Sequence, residues 1–330
     1  MSRPTLSNDD EFRFVHPLAT DSAMPQCKES QTASSAELSA IPPTTTSWQS
    51  ELLQRQFFQK RRRFPWPAVL WLLFIIIGCL AAPLIANHDP AHFYLHLLSE
   101  APNQKFYFGT DALGRDIYSS IWYGGRLSLG IGVLSMLVST GLGVLYGALS
   151  GLASRIVDTV LMRTAEILSS IPSLLLMILC LAFIPSPSPI SIALIIGGTT
   201  WMNLARIVRS EVCHIKNSDY VWAARFMGAG PLHILRYHLW PSIWSPIMFM
   251  VVSSIGSAIL IESTLSFLGL GLSVDVISWG TMLSLANRAL LTNAWWVILI
   301  PGIFLVITLL SITRLGYYIR RQLNRGCSNL

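Results

Sequence analysis

Apolar residues in this chain fall into long runs that are separated by shorter polar segments. A helix needs about 20 mostly apolar residues to cross the roughly 30 Å hydrocarbon core of a bilayer. Its backbone must be hydrogen-bonded within the segment, because lipid offers no partners. Six runs meet this requirement without an ionisable residue in the middle: about 67–86, 127–150, 167–184, 187–205, 243–262 and 295–313. We therefore predict an all-α, polytopic membrane protein with six transmembrane helices.

Composition supports this prediction and excludes other classes. Of the 330 residues, 52% are hydrophobic and 12% are charged, whereas a soluble domain carries about 25% charged residues. A soluble enzyme, a disulfide scaffold and a wholly disordered protein are therefore excluded. The five cysteines are scattered and form no C-x-x-C pair, so neither a metal site nor a disulfide framework is predicted. No motif for nucleic-acid binding is present.

The first part of the chain has a different character from the rest. It is rich in Ser, Thr, Pro and Gln and poor in large aliphatic residues, so it cannot bury enough surface to offset its chain entropy. We predict a disordered cytoplasmic tail over 1–60 and a transmembrane domain over 61–330. The first apolar run starts near Pro67, which is too far along the chain for an ordinary cleaved signal peptide.

Basic residues set the predicted orientation. They cluster before the first apolar run, after the last one and in two of the connecting loops, and the positive-inside rule assigns that side to the cytoplasm. Both termini are then cytoplasmic, which agrees with an even number of helices. The predicted inner loops are 151–165 and 206–240, and the predicted outer loops are 87–126, 185–188 and 265–294.

The longer inner loop carries the strongest local signals. Asp219 is a favourable N-cap for a short helix from Tyr220. Gly228 and Gly230 can end that helix, and Pro231 can open a second one. The loop is therefore predicted as two short helices joined at glycines. By helix physics alone, such a hairpin can lie in the lipid headgroups or present a docking surface to another protein.

This loop resembles the cytoplasmic coupling loop of importer-type ABC transporter permeases, whose pattern is E-A-A-x3-G-x9-I-x-L-P. Four residues match at the family's spacing, namely Ala223, Ala224, Gly228 and Pro241. Three positions depart from it, where the family's Glu, Ile and Leu are replaced by Trp222, His238 and Trp240.

Two outer segments resemble the peptide/nickel subgroup of the same family. Residues 108–116 read F-G-T-D-A-L-G-R-D, and residues 262–271 read E-S-T-L-S-F-L-G-L-G, followed by S-W-G-T-M-L over 278–283. The resemblance runs from about residue 60 to 320. It implies the C-type subunit of a dipeptide, oligopeptide or nickel importer in the cell (inner) membrane.

The resemblance also implies partners and a division of labour. The chain would be a permease with an importer-type ABC permease fold, paired with a second homologous permease. Two cytoplasmic ABC ATPase subunits would bind ATP, and an extracytoplasmic solute-binding protein would deliver the solute for alternating access. This chain has no phosphate-binding G-x-x-x-x-G-K-[ST] motif, so we expect no catalytic residue, cofactor or metal in it. The expected ATPase contacts are Asp219, Tyr220, Val221, Ala223, Ala224, Arg225, Gly228, His238 and Pro241.

Charged residues near the predicted outer face allow two interpretations. Asp111, Arg115 and Asp116 can form a ligand site, or a salt-bridged turn in which Asp111 caps a helix over 112–120. Glu262 lies at the outer end of the fifth predicted helix. An ionisable residue there is a candidate for the translocation path, or it can be hydrated or bonded to its neighbours.

Two other classes of membrane protein fit the sequence less well. An ion-driven secondary carrier usually has ionisable or broken-helix sites near the midplane and an inverted repeat, and the sequence shows neither. A non-transporting membrane anchor would not need a two-helix inner loop at this spacing.

Overall fold

The computed structural model describes residues 64–228, 230, 240–285, 289 and 293–323. Within these residues the regular secondary structure is helical, apart from an isolated antiparallel bridge between Thr110 and Asp116, and the helices are joined by turns and loops. The helices in chain order are α1 (Trp66–Leu80), α2 (Ala82–Ile85), α3 (Ile117–Leu152), α4 (Arg155–Ser169), α5 (Ser173–Ala182), α6 (Pro189–Lys216), α7 (Asp219–Phe226), α8 (Trp240–Phe267), α9 (Trp279–Ser284) and α10 (Trp296–Leu323).

The predicted all-α, polytopic class is confirmed. In the part of the chain that the structure describes, four helices are long and apolar enough to cross a membrane: α3, α6, Ile247–Phe267 within α8, and Trp296–Gln322 within α10. The α4–α5 pair adds a fifth crossing if it counts as one bent span. α1 has 15 residues and is shorter than an ordinary span. The count of six therefore stays a prediction.

The third predicted run, 167–184, is not one continuous helix. α4 ends at Ser169, α5 begins at Ser173, and their axes differ by 81°. Pro172 has no N–H to donate and disfavours helical backbone in the residue before it. A proline within an apolar run favours either a kink or a break in the helix, and the structure places a complete break there.

α3 packs closely along α6. The G-x-x-x-G-x-x-x-G series Gly143, Gly147 and Gly151 lies on the α3 face that touches α6. A Cβ atom on Gly147 would lie 2.4 Å from the carbonyl oxygen of Ala205, so no side chain fits there. Small residues four apart allow such close approach of two backbones. In the structure the helix that this series packs against is another helix of the same chain.

The described core has three clusters of buried apolar side chains. One joins α1, α3, α9 and α10 around Trp122 and Trp279, and a second joins α3, α5, α6 and α8 around Ile131 and Met177. The third, called the inner cluster below, contains Leu204, Val208, Val212, Ile215, Val221 and Ile247. The inner cluster connects the end of α6 to α7 and α8.

Candidate functional site

α7 follows α6 after a two-residue junction. The carbonyl oxygen of Ser218 accepts hydrogen bonds from the N–H groups of Val221 and Trp222, both at 3.1 Å. The Ser218 hydroxyl donates back to the carbonyl of Ile215 at 2.6 Å. Asp219, predicted as the N-cap, is instead the first residue of α7, because Ser218 supplies the flanking position. The short junction ties the position of α7 to the end of α6.

The two faces of α7 have different environments. Val221 is fully buried in the inner cluster, and Ala224 is also buried. On the other side Trp222 is half exposed, while Phe226 and Met227 are 86% and 82% exposed. The rings of Trp222 and Phe226 lie 6.2 Å apart. One face therefore fixes α7 to the bundle, and the other presents a large apolar ridge formed by Trp222, Phe226 and Met227.

Gly228 ends this segment in the predicted manner. Its φ is +86°, a conformation that glycine adopts at little cost and that commonly closes a helix. The N–H of Met227 still bonds to the carbonyl of Ala223 at 3.1 Å, so the last turn is intact up to the glycine. Ala223 itself is exposed, whereas its predicted companion Ala224 packs inward.

Other predicted contact residues are described only in part. Tyr220 and Arg225 lie within α7, and Pro241 lies in the first turn of α8, but their side chains are outside the described part. His238 and the second predicted helix of the loop lie outside the described residues, as does the tail over 1–60.

An ion pair that was not predicted from the sequence holds the C-terminal half of α6 to α4. Arg209 donates from Nε to Oδ1 of Asp158 at 2.8 Å, and a second guanidinium nitrogen donates to Oδ2. The Ser150 hydroxyl also bonds to Asp158, and Lys216 donates to the Gly151 carbonyl at 3.4 Å. These contacts join α3, α4 and α6 next to the junction with α7. The positive charge of Arg209 had served only to predict orientation, since its partner lies 51 positions away.

The outer segment before α3 is a backbone turn held by carboxylates. Oδ1 of Asp111 accepts from the N–H groups of Leu113 and Arg115, both at 2.8 Å. Burial raises the pKa of Asp111 above its usual range. Asp116, not Asp111, caps the helix: its Oδ2 accepts from the Ser119 N–H at 3.1 Å, and the helix begins at position 117. The predicted cap at Asp111 is wrong, because Asp111 bonds within its own turn.

The side chain of Arg115 is buried in this region. It donates to the carbonyl of Val274 at 2.8 Å and lies 4.4 Å from the ring centroid of Phe93. Among the residues with described side chains, no carboxylate lies within 4.0 Å of its guanidinium group. The expected salt bridge of Arg115 is therefore not formed with any carboxylate among the described side chains, and Arg115 instead connects two outer segments.

Glu262 is fully buried and surrounded by hydroxyl groups. Its carboxylate accepts from Ser278 at 2.8 Å, from Ser266 at 3.0 Å and from Ser128 at 3.3 Å. The Ser128 oxygen in turn accepts from the backbone N–H of Trp279 at 3.1 Å. The arrangement links α3, α8 and the start of α9. It favours a structural role for Glu262, and no local sequence pattern indicates its distant partners Ser128 and Ser278.

Two cavities lie beside α3. One of about 190 Å³ is lined by α3, α6 and α8 and carries no charged side chain among its described lining residues. The other, of about 590 Å³, has mostly apolar walls together with the exposed side chains of Asp89, Arg126 and Asp275. The polar residues of the smaller cavity include Ser135, Ser139, Thr200, Asn203, Ser253 and Ser257.

Comparison with known proteins gives consistent matches. The family described as "Binding-protein-dependent transport system inner membrane component" matches residues 143–326, more than half of the chain. The dipeptide transport system permease protein DppC of Bacillus subtilis is 34% identical over 258 residues, which is 78% of this chain and 80% of the relative.

Two further relatives agree. The oligopeptide transport system permease protein OppC of Bacillus subtilis is 36% identical and covers 77% of this chain and 82% of its own. The di/tripeptide transport system permease protein DppC of Pseudomonas aeruginosa is 34% identical, and the match covers 79% of this chain and 88% of the relative. A solved amino acid ABC transporter aligns with a TM-score of 0.48 and 17% identity, covering 62% of this chain and 94% of that one.

Proposed function

Because the chain belongs to the family of binding-protein-dependent transport system inner membrane components, we propose that it is the permease subunit of an ATP-driven peptide importer. The three relatives described above are named for the transport of dipeptides, oligopeptides and di/tripeptides, which supports peptides ahead of nickel as the solute. A permease subunit moves solute and leaves ATP hydrolysis to its ATPase partners.

The observation that carries the proposal is the two-sided environment of α7. Its buried side holds Val221 in the inner cluster, while Phe226 and Met227 stand almost fully exposed. Large apolar side chains grouped on a surface mark sites of protein contact. We assign this ridge to a groove of a cytoplasmic ATPase subunit, with one ATPase docked on this chain and one on a second permease.

The packing around α7 suggests how ATPase movement would reach the bundle. A push on α7 is passed to α6 through the two-residue junction and through Val221. It then passes to α4 and the end of α3 through Asp158 and Arg209. ATP binding would favour one arrangement of the permease pair and hydrolysis the other, because each nucleotide state binds the two arrangements with different affinity.

The hydroxyl-lined cavity between α3, α6 and α8 is a suitable part of the solute path. Peptides carry amide groups that need hydrogen-bond partners, and an uncharged lining can offer them without holding one end of the peptide tightly. An extracytoplasmic binding protein would supply the selective binding, so the path itself needs few charged groups.

Uptake by the reconstituted complex tests the proposal. The complex is reconstituted in proteoliposomes from this chain, a second permease, two ATPases and a binding protein. Uptake of a labelled dipeptide is measured with and without ATP on the side of the membrane where the ATPases lie. Phe226→Glu should reduce ATPase retention and uptake by about tenfold or more, since a charge replaces a central apolar anchor. Leu95→Glu is the matched control, because Leu95 is also well exposed but lies in the outer segment.

Two results would contradict the proposal. One is full retention of the ATPases by Phe226→Glu. The other is uptake that proceeds without ATP and stops when a protonophore is added, which would indicate an ion-driven carrier.

A further inference from the structure

α3 and α6 run in the same direction, which defines two ends of the bundle. Gly143 of α3 lies against Leu204 of α6, and Gly151 further along α3 lies against Val212. Because both residue numbers rise together, the two helices are parallel. α6 has 28 residues and is about 42 Å long at 1.5 Å per residue. Its C-terminal end leads into α7, whereas its first turn and the first half of α3 lie at the opposite end.

The larger cavity, called the entry cavity below, lies at the end of the bundle opposite α7. It is bounded by α3 between Tyr123 and Leu134, by Pro189 and Ile190 of α6, and by residues of the segments 89–91 and 275–277. Its volume of about 590 Å³ falls within the range of about 300–1,000 Å³ that is usual for small-molecule sites. On α3 the smaller hydroxyl-lined cavity begins at Ser135, directly after Leu134. The two cavities therefore follow each other along α3 toward α7.

Three charged side chains line the entry cavity without neutralising one another. Asp89 accepts a hydrogen bond from the backbone N–H of Ala91 at 2.9 Å, and Asp275 accepts one from the Ser273 hydroxyl at 3.3 Å. Among the residues with described side chains, no carboxylate lies within 4.0 Å of the guanidinium group of Arg126. Both signs of charge are therefore available to a ligand at separate points of one cavity.

The other walls of the entry cavity are mainly apolar, with Leu127, Ile131, Leu134 and Ile190 among the lining residues. A ligand that suits this lining has a cationic group, an anionic group and a body that tolerates apolar contact. A short peptide has this chemistry, because its ends are an ammonium group and a carboxylate and its side chains vary. Its two ends are at most about 7 Å apart in a dipeptide and about 10 Å apart in a tripeptide.

We infer that the entry cavity binds the two charged ends of a short peptide, with Arg126 pairing with the carboxylate and with Asp89 and Asp275 pairing with the ammonium group. This inference rests on the proposed function: with α7 on the ATPase side, the entry cavity lies on the side from which solute arrives. A guanidinium group holds a carboxylate through two parallel hydrogen bonds, so Arg126 would select peptides with a free carboxyl end. The uncharged smaller cavity would receive the peptide next.

Photo-crosslinking of the assembled complex tests the inference. Two permeases and two ATPases are placed in phosphatidylcholine nanodiscs without the binding protein, so that any peptide site belongs to the membrane complex. The probe is a radiolabelled dipeptide of p-benzoylphenylalanine and alanine, and mass spectrometry locates the cross-linked residues. Dialanine, N-acetyl-dialanine and dialanine amide are added in excess as competitors.

The expected cross-links lie on the apolar wall of the entry cavity, and dialanine should suppress them more strongly than either blocked dipeptide. Arg126→Gln should lower cross-linking by about tenfold, because one charge-assisted contact is lost, and dialanine amide should then compete as well as dialanine. Arg126→Lys should retain most of the cross-linking. Asp275→Asn should reduce the discrimination against N-acetyl-dialanine. Arg155→Gln is the matched control without effect, since Arg155 is also exposed but begins α4, next to the C-terminal end of α3.

Several results would overturn the inference and leave the proposed function intact. They are cross-links only outside the entry cavity, equal competition by the three dipeptides, unchanged cross-linking in Arg126→Gln, and no cross-links in a complex that transports peptide. Loss of cross-linking when phosphatidylethanolamine replaces half of the lipid would assign the charges to a lipid headgroup, which also overturns it. The proposed function fails separately if the complete system, with binding protein and ATP, takes up no peptide.

Discussion

Arg209 on α6 holds Asp158 on α4 through both oxygens of the carboxylate, with Nε to Oδ1 at 2.8 Å. The pair joins α4 to α6 beside the end of α3, about two helical turns before the junction to α7. A bidentate pair fixes the angle between its two side chains as well as their distance. It is therefore well placed to make α4 and α6 move together when α7 is pushed.

Exchanging the two charges should test this link. Asp158→Arg or Arg209→Asp alone places like charges together, so each should lower the melting temperature and weaken the coupling of ATP hydrolysis to uptake. The double exchange should recover part of both. Because Arg209 is partly exposed, we expect a coupling energy of only about 1 kcal/mol. Melting curves and the ratio of peptide taken up to ATP hydrolysed provide the measurement, and equal losses in all three variants would show that the pair does not act as a unit.

Because α3 packs closely on α6, replacing two different glycines of α3 by alanine should have opposite effects on stability. Gly147→Ala should destabilise by about 1–3 kcal/mol, because the new methyl group would overlap the Ala205 carbonyl. Gly141→Ala has open space around its Cβ position, so it should be neutral or stabilise by up to about 1 kcal/mol through helix propensity. Thermal unfolding of both variants provides the test. Similar behaviour of the two would contradict the described α3–α6 contact.

The serine hydroxyl groups that donate to the Glu262 carboxylate predict a loss of stability when that side chain can accept fewer hydrogen bonds. Glu262→Gln keeps the shape but offers one oxygen in place of two, so part of the Ser278, Ser266 and Ser128 network is lost at about 1–3 kcal/mol. Thr264→Val, two positions further along α8 and only partly buried, is the control and should change stability by less than about 0.5 kcal/mol. Unfolding of the purified permease measures both, and a fully stable Glu262→Gln protein would argue for a role in the solute path instead.

Burial of Asp111 predicts a pH dependence for the outer turn. Its pKa is raised above the ordinary 3.8, so the folded turn binds the proton more tightly than the unfolded segment does. The contribution of this proton to the stability of the turn is then fully present at pH values below the ordinary pKa, and it is lost as the pH rises through the raised pKa. Asp111→Asn retains an oxygen for the Leu113 and Arg115 N–H groups and should remove this dependence.

Hydrogen exchange of the Arg115 amide measures the effect. At each pH, its protection relative to the intrinsic exchange rate is compared between the natural chain and Asp111→Asn. The difference in protection between the two proteins should change as the pH rises from the ordinary pKa of an aspartate. A difference that stays constant with pH would show that Asp111 does not titrate differently in the folded turn.

Much of the fold follows from the sequence because a bilayer imposes simple requirements. Apolar runs of sufficient length must become helices, and the runs near α3, α6, α8 and α10 did. The local structure of the predicted contact loop agrees with the sequence where a single residue decides it, as at Gly228, whose conformation suits glycine. Asp219 was misplaced by one position, because the choice between neighbouring start residues depends on the contact that Ser218 makes with α6.

Other features depend on contacts between distant parts of the chain. Ser128 lies 134 positions from Glu262, and Asp158 lies 51 positions from Arg209, so no local pattern indicates either pairing. At Pro172 the signal was present in the sequence, but a proline within an apolar run predicts a kink or a break equally well. No local pattern specifies which of them occurs.

Labelling of a single cysteine at position 223 tests the account most directly. Ala223 is exposed on α7, so Ala223→Cys in an otherwise cysteine-free chain should fold and react. A membrane-impermeant maleimide should label it in inside-out vesicles stripped of ATPase, should label it much less after the ATPases bind, and should not label it in intact cells. Labelling from the outside of intact cells, or labelling unchanged by bound ATPase, would contradict the account of α7 as the contact through which the ATPases move the permease.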